Sequence, residues 1–425
     1  MYIRLIASNL FILYNAIFID LFGTGFDQYE IKTSLNPHHL LSEKLAQLRY
    51  HSIPNSITRK GLSFITTMLN NKTIDDLLKV NEIYLEPEVR NYKRGQEILD
   101  KYPNATLIEV PSHWKIPELH GNQGSVEDWI SNKKHIIVLG IKKSLSCRAN
   151  TRSSHWVAPS ESNGCTMACS YCYVPRRKGF ANPISIFVNI EQICDYLRRH
   201  AARQGPLPAP DHTDPKYWVY EIGENSDCSA DAAICDNVKD LMNLFKEIPN
   251  AKLTFATKFV NREMLSYDPK LKTRIRFSLM PHQISKLVDV RTTPISDRID
   301  VMNEFVDAGY EVNVNFSPVI FYEGWKDDWR ILFDELNDKL NEKTKKQLVA
   351  EIIFLTHNEQ LHEVNMGWHP KAEEVLWKPE VQEVKYSQTG GRNVRYKRGF
   401  KKELVDELLD LVHQQLPYCG VRYAF

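Results

Sequence analysis

The sequence predicts an α/β protein organised around a partial (β/α)6 barrel, with a small leading α/β unit and a C-terminal basic hairpin and helix. Two observations carry that expectation. Six strand-like segments between Ser154 and Thr356 are separated by helical ones, and strands that alternate with helices pair in parallel through right-handed crossovers. The chain, 425 residues with 43% hydrophobic content, is long enough to bury a sizeable core and to divide into about two or three domains. The expected divisions are an N-terminal extension at 1–80, the leading unit at 81–150, the barrel at 151–360 and a basic, aromatic C-terminal segment at 361–425.

Leu5 to Phe22 is rich in Leu, Ile and Phe behind Arg4, in the manner of a signal peptide, but Asn9, Asn15 and Asp20 interrupt it and no small-residue cleavage site follows. A membrane span requires about 20 predominantly apolar residues, so the segment reads as a docked or frayed amphipathic helix. Pro37 to Leu48 and Thr73 to Val80 have helical spacing, with Asn71 and Thr73 as candidate caps. Ile83 to Glu86 is a short strand stopped by Pro87, and a helix runs through Tyr92 to Leu99. Ile136 to Ile141 is β-branched and continuous, as a strand buried on both faces should be.

The barrel strands are Trp156 to Ala158, Tyr217 to Ile222, Leu253 to Thr257, Arg274 to Met280, Glu311 to Ser317 and Ile352 to Thr356. Helices are expected over Glu191 to Arg203, Asn237 to Glu247, Ser296 to Ala308 and Asp328 to Leu340. The third of these has Thr293 as cap, Pro294 in its first turn, Ile299, Met302, Phe305 and Val306 on one face, and Gly309 just past its end.

Cys165, Cys169 and Cys172 form a CxxxCxxC run behind the first barrel strand, which places it at the mouth where barrels gather their reactive loops. Three thiolates this close can cover one face of a small metal–sulfur cluster, and no nearby cysteine in the sequence supplies a fourth ligand, so one iron stays open. A structural zinc site would require a second cysteine knuckle, which the chain lacks. Eight cysteines in 425 residues are too sparse for a disulfide framework and suit a reducing, cytoplasmic compartment. Lys+Arg 54 against Asp+Glu 53 leave a net charge of +1, so any nucleic-acid surface is local. The one candidate is Lys385, Arg392, Arg395, Lys397, Arg398, Lys401 and Lys402, set with Tyr386, Tyr396 and Phe400 around Gly390-Gly391. Cations there can meet phosphates and a ring can meet an unstacked base; the alternative is a solvated loop and helix start.

The cysteine run resembles the signature of the radical S-adenosylmethionine (radical SAM) superfamily. An ordered set of further segments, from about Ile83 to Phe425, resembles one family within it, spore photoproduct lyase. The set comprises YLEP at Tyr84 to Pro87, Val138 to Lys143, Asn225-Ser226-Asp227, ATKF at Ala256 to Phe259, IRFSLM at Ile275 to Met280, TTPISDRID at Thr292 to Asp300, the Ser317-Pro318 strand end leading into Glu323 to Trp325, and the tail VRYAF. Residues before roughly Val80 lie outside it.

That resemblance implies a barrel of the radical SAM type and a lyase that repairs a thymine dimer in DNA. It also implies a 4Fe-4S cluster on Cys165, Cys169 and Cys172, S-adenosyl-L-methionine cleaved reductively to a 5'-deoxyadenosyl radical, and an electron donor such as ferredoxin or flavodoxin. No stable protein partner and no membrane association are expected. Tyr171 and Tyr173 match tyrosines that relay the radical in the family; either can equally be an aromatic wall beside cluster or adenine. Ser226, Lys258 and Ser278 match positions that contact the cofactor, and His357 matches a histidine near the lesion pocket. Arg392, Arg395, Tyr396 and Lys397 fall in the segment that holds the damaged duplex.

One position departs from the pattern. The family carries a hydrogen-donating cysteine just ahead of its Asn/Thr-Ser-Asp element, and this chain has Glu224 there. A carboxylate has no weak bond to hydrogen for a carbon radical to exploit. Gly223-Glu224 instead resembles the glycine-glutamate element that binds the cofactor's amino group in other radical SAM enzymes. Cys228 and Cys235, on the same loop, either supply the thiol or are buried small hydrophobes. Two other readings follow: a radical SAM enzyme with a different nucleic-acid or small-molecule substrate, which Glu224 favours, or a nucleic-acid-binding module whose cluster is structural or sensory. Release of 5'-deoxyadenosine after anaerobic reduction separates that module from the enzymes.

Overall fold

Ile136–Gly140 is buried along its whole length, and the leading sheet is built on it. The computed structural model describes residues 74–425 apart from 123, 175–177 and 387–390, all within one compact unit. Strands β1 (Glu82–Leu85), β2 (Thr106–Glu109) and β3 (Ile136–Gly140) pair in parallel, with β1 between the other two. The chain then leaves this sheet for β4 (Arg148–Ala149) and β5 (Trp156–Val157), and returns to it with β6 (Ser162–Asn163) and β7 (Ile184–Phe187). The finished order is β2-β1-β3-β7-β6. The cysteine run is thus the connection between β6 and β7, at the seam where the chain passes from one sheet to the other.

The main sheet takes β8 (Trp218–Glu221), β9 (Ala251–Thr257), β10 (Thr273–Leu279), β11 (Glu311–Val319) and β12 (Val349–Phe354). A three-stranded antiparallel sheet follows, from β13 (Thr356–His357), β14 (Gln382–Tyr386) and β15 (Arg392–Tyr396), before β16 (Gly420–Ala424) rejoins the main sheet at its edge. Its order is β16-β12-β11-β10-β9-β8-β5-β4. Strands lie at all six barrel positions read from the sequence, but β4 and β16 widen the sheet to eight. All its pairs are parallel except β4 with β5, and it curls into a half-barrel.

Period-two patterning explains which face is which. In β10, Ile275, Phe277 and Leu279 alternate with Arg274, Arg276 and Ser278; in β11, Val312, Val314 and Phe316 alternate with Glu311, Asn313 and Asn315. The apolar set joins the core formed with the surrounding helices, notably Ile190–Gln204, Asn237–Glu247 and Trp325–Lys339. The polar set makes an ion-paired layer on the other face. Arg276 bridges Glu221 of β8 at 2.5 Å and Glu351 of β12 at 2.7 Å, and Glu351 also accepts from Arg422 of β16 at 2.6 Å.

Several expectations shift. The helix over Ser296 to Ala308 is broken at Val301 into Ile295–Asp300 and Met302–Asp307. Thr73 to Val80 is helical only at Ile74–Leu77 among the described residues. Leu5 to Phe22, Pro37 to Leu48 and the caps Asn71 and Thr73 lie outside the described residues. The helix Val126–His135 had no signal, because VEDWISNKKH holds too few apolar residues for a stripe; its start is fixed instead by a capping box between Ser125 and Asp128. No helix among the described residues is long and apolar enough to cross a membrane.

Candidate active site

Gly164 opens the cysteine loop. Its φ is +98° and a Cβ there would sit 2.4 Å from the Pro183 carbonyl oxygen, so glycine alone makes this turn without displacing the β7 approach. The loop is then tied down on every side. Gly164 N–H donates to Asn225 at 2.9 Å, Ala168 N–H to Val290 at 3.2 Å and Ser170 N–H to Val288 at 3.0 Å. The Thr166 hydroxyl donates to the Leu77 carbonyl at 2.7 Å, and Asn365 Nδ2 to the Ser170 carbonyl at 2.5 Å.

Held in this way, Cys165, Cys169 and Cys172 line one cavity together with Lys133, Met167, Phe180 and Trp368. Burial pushes the Cys165 and Cys169 thiols well above the ordinary range, so it takes a metal to hold them as thiolates. The opposite influence comes from Lys133. Its ammonium is 4% exposed and donates to the carbonyls of Cys165 at 3.2 Å and Asn182 at 3.1 Å. Three soft ligands beside a buried cation suit a group that is itself anionic and takes three cysteines, which is what an open-iron cluster is.

The strand ends of the main sheet close the other side. Asp227 caps the helix Cys228–Asp231 by accepting from Ser229 and Ala230 N–H, at 3.1 and 3.2 Å. It also accepts from the Thr257 hydroxyl and Lys258 N–H, both at 2.8 Å, and so binds the loop after β8 to the end of β9. The Lys258 ammonium pairs with Asp289 at 2.9 Å, contacts the Tyr171 hydroxyl and lies 4.3 Å over its ring. Asp289 is fully buried and pairs with Arg298 at 3.1 Å. Burial alone would raise its pKa, but Lys258 and Arg298 outweigh that and hold the carboxyl below the usual range. An ammonium has three donors, so Lys258 keeps one for an acceptor in the cleft.

Tyr173 is exposed, and its hydroxyl donates to the Glu224 carbonyl at 2.6 Å. The Glu224 side chain pairs with Arg148 of β4. The Ser226 hydroxyl is buried beside Asp231. Ser278 is buried in β10, and its carbonyl accepts from Arg298 at 2.6 Å. Tyr171, Lys258 and Ser278 are therefore joined through Asp289 and Arg298, while Tyr173, from the cysteine loop, is fastened to the loop after β8 that carries Glu224 and Ser226. Cys228 is fully buried, its thiol donating to Glu161 at 3.4 Å, and Cys235 is buried too. Arg298 falls in the TTPISDRID segment, but Asp289 and Lys133 had no sequence signal; each acquires meaning only from what it faces.

The basic segment divides. Arg392 is half-exposed and pairs with Glu359, and the exposed Lys397 donates to the Glu380 carbonyl at 2.7 Å. Arg395 is partly buried. Tyr396 is 2% exposed, and its hydroxyl accepts from Phe321 N–H at 2.8 Å, so the ring is packed beneath the hairpin, and the aromatic turned outward is Tyr386, 69% exposed. His357 is fully buried, its Nε2 3.1 Å from both oxygens of Glu373, which also receives His362 Nδ1 at 2.6 Å and Asn365 Nδ2 at 2.5 Å. His357 therefore faces the C-terminal helices and belongs to the network that reaches Ser170 of the cysteine loop.

Residues 78–425 match the family model described as spore photoproduct lyase. The spore photoproduct lyase of Bacillus subtilis (strain 168) is 25% identical over 344 residues, covering 80% of this chain and 97% of that protein. That of Geobacillus sp. (strain Y412MC61) is 22% identical over 344 residues with the same coverage, 80% and 97%. Among solved structures, a spore photoproduct lyase mutant with bound AdoMet and dinucleoside spore photoproduct superposes with a TM-score of 0.72 at 21% identity, covering 82% of this chain and 99% of that one. Another, complexed with dinucleoside spore photoproduct, gives 0.71 at 21% identity, with coverage of 82% and 99%.

Proposed function

The chain belongs to the spore photoproduct lyase family, and on that premise we propose that the cavity of Cys165, Cys169 and Cys172 holds the 4Fe-4S cluster with which this radical SAM lyase acts in thymine dimer repair. The supporting observation is the convergence of three thiols in one cavity against a buried ammonium. When bound, cluster and S-adenosylmethionine supply a one-electron cleavage that delivers a hydrogen-abstracting radical. The protein's own part is to bind and orient.

Lys258, anchored by Asp289, offers its third donor to the cofactor's carboxylate. Glu224 stands on the loop that the Tyr173 hydroxyl fastens, where its carboxylate would suit the amino group, and Ser226, on the same loop, and Ser278, in β10, would contact the cofactor. Tyr171, locked between Lys258 and Asp289, is the more rigid of the two tyrosines and suits a fixed wall; Tyr173, exposed and on the cleft side, suits the relay. Arg392, Arg395 and Lys397 hold the DNA backbone, and Tyr386 offers a ring to an unstacked base. Extruding that base costs a few kcal/mol, less for a poorly stacked lesion. Tyr396 and His357 act from behind, supporting the hairpin and the cysteine loop.

Cys228 fits a hydrogen donor less well than its place in sequence suggested, since its thiol is buried against Glu161. That observation, together with the Glu224–Arg148 pair, favours a second reading in which the same site serves another nucleic-acid substrate. The deciding experiment is anaerobic turnover on a synthetic oligonucleotide carrying the spore-type dimer, with wild type and Cys228→Ala. Repair by wild type supports the lyase reading, and trapped adducts in the variant would identify Cys228 as donor. Clean repair by Cys228→Ala removes that assignment. Release of 5'-deoxyadenosine with an untouched dimer selects the second reading, and no release at all leaves a binding module.

A further inference from the structure

Lys133 presents a buried charge that no acid among the described residues compensates. It is drawn into the cavity wall by the helix Val126–His135, is 4% exposed, and among the described residues donates to the Cys165 and Asn182 carbonyls. No carboxylate lies within ion-pairing distance of it among the described residues. Arg291 is a second, partly buried cation close to Cys165. It sits in the left-handed region with φ +64°, donates to the Leu77 carbonyl at 2.5 Å and to the Thr166 hydroxyl at 3.4 Å, and likewise has no carboxylate partner among the described residues. On the strand-end side of the site, by contrast, Lys258 and Arg298 pair with Asp289, and Arg148 pairs with Glu224.

Burying an unpaired ammonium is expensive unless an opposite charge stands nearby. The groups that face Lys133 are the three cysteines of the cavity. A four-iron, four-sulfur core on three thiolates is a net anion, and one-electron reduction adds a further negative charge to it. We propose that Lys133, seconded by Arg291, is the counter-ion of the cluster and raises its reduction potential, so that an ordinary cellular donor can reduce it. Net charge and hydrogen bonding near the sulfurs are the levers by which proteins set such potentials. The inference rests on the cluster assignment made above and adds a role that no cysteine performs.

The test is a redox titration of the reconstituted protein followed by electron paramagnetic resonance, comparing wild type with Lys133→Gln, Lys133→Arg and Arg291→Gln. Gln keeps a donor for the two carbonyls and removes only the charge. Lys133→Gln should lower the equilibrium constant for reduction roughly tenfold, a midpoint ~59 mV more negative for a one-electron couple. Lys133→Arg should stay near wild type, and Arg291→Gln should shift the midpoint in the same direction by less. A Lys133→Gln protein that carries its cluster at the wild-type midpoint overturns the inference while leaving the cluster reading intact. Should Lys133→Gln fail to take up iron, the other two variants decide: a loaded Lys133→Arg near the wild-type midpoint together with a more negative Arg291→Gln midpoint supports the inference, and an Arg291→Gln midpoint at the wild-type value overturns it. A wild type without an iron–sulfur chromophore overturns both.

Discussion

At the scale of single residues, the three cysteines were legible because their spacing alone restricts the chemistry, whereas Lys133 and Asp289 were not, since an isolated lysine or aspartate has no pattern. Replacing Cys165, Cys169 or Cys172 with Ala should reduce iron from about four per chain to near zero after anaerobic reconstitution, read by iron and sulfide assay. Tyr396 shows the opposite case. Its place in a basic, aromatic run suggested a ring for a base, but burial against the Phe321 backbone makes it a core residue. Tyr396→Ala should destabilise the fold by about 3–5 kcal/mol, the cost of emptying a buried aromatic site, measured by urea unfolding. Tyr386→Ala should leave stability unchanged and weaken binding to single-stranded or lesion DNA by about 1–3 kcal/mol.

At the scale of elements, the strands read well because their alternation is a local property: TRIRFSL and EVNVNFS each spell a two-faced strand. Elements held by partners rather than by pattern were missed. β2 is exposed, with only Ile108 partly covered, and β16 was visible only as an aromatic tail, since pairing with β12 is what makes it a strand. The hairpin of β14 and β15 carries its own prediction. Ala at Arg392 or Lys397 should reduce the dependence of log K for duplex DNA on log salt by roughly one unit each. Equal slopes for wild type and the double variant, in fluorescence anisotropy between low and moderate salt, would remove the hairpin from the DNA surface.

For the whole molecule, the polar layer of the half-barrel sets the acid limit. Burial would raise the pKa of Glu351, but Arg276 and Arg422 outweigh it and hold the carboxyl down at about 2. A depressed folded-state pKa stabilises the fold above the ordinary carboxylate range, and that contribution is lost as pH falls from about 4.5 toward 2. Glu351→Gln should cost about 3–5 kcal/mol at neutral pH, because it leaves two buried guanidinium groups short of a partner, and should flatten the stability curve in that acid window. Urea midpoints across pH for both proteins check both statements. The tethers of the cysteine loop have a further consequence, for biosynthesis. They reach from Leu77 to Asn365, so the frame that gathers the thiols is incomplete until Asn365 has left the ribosome. Iron delivery therefore follows the emergence of that segment, and ribosome-bound nascent chains arrested before residue 360 should carry cysteines still open to alkylation.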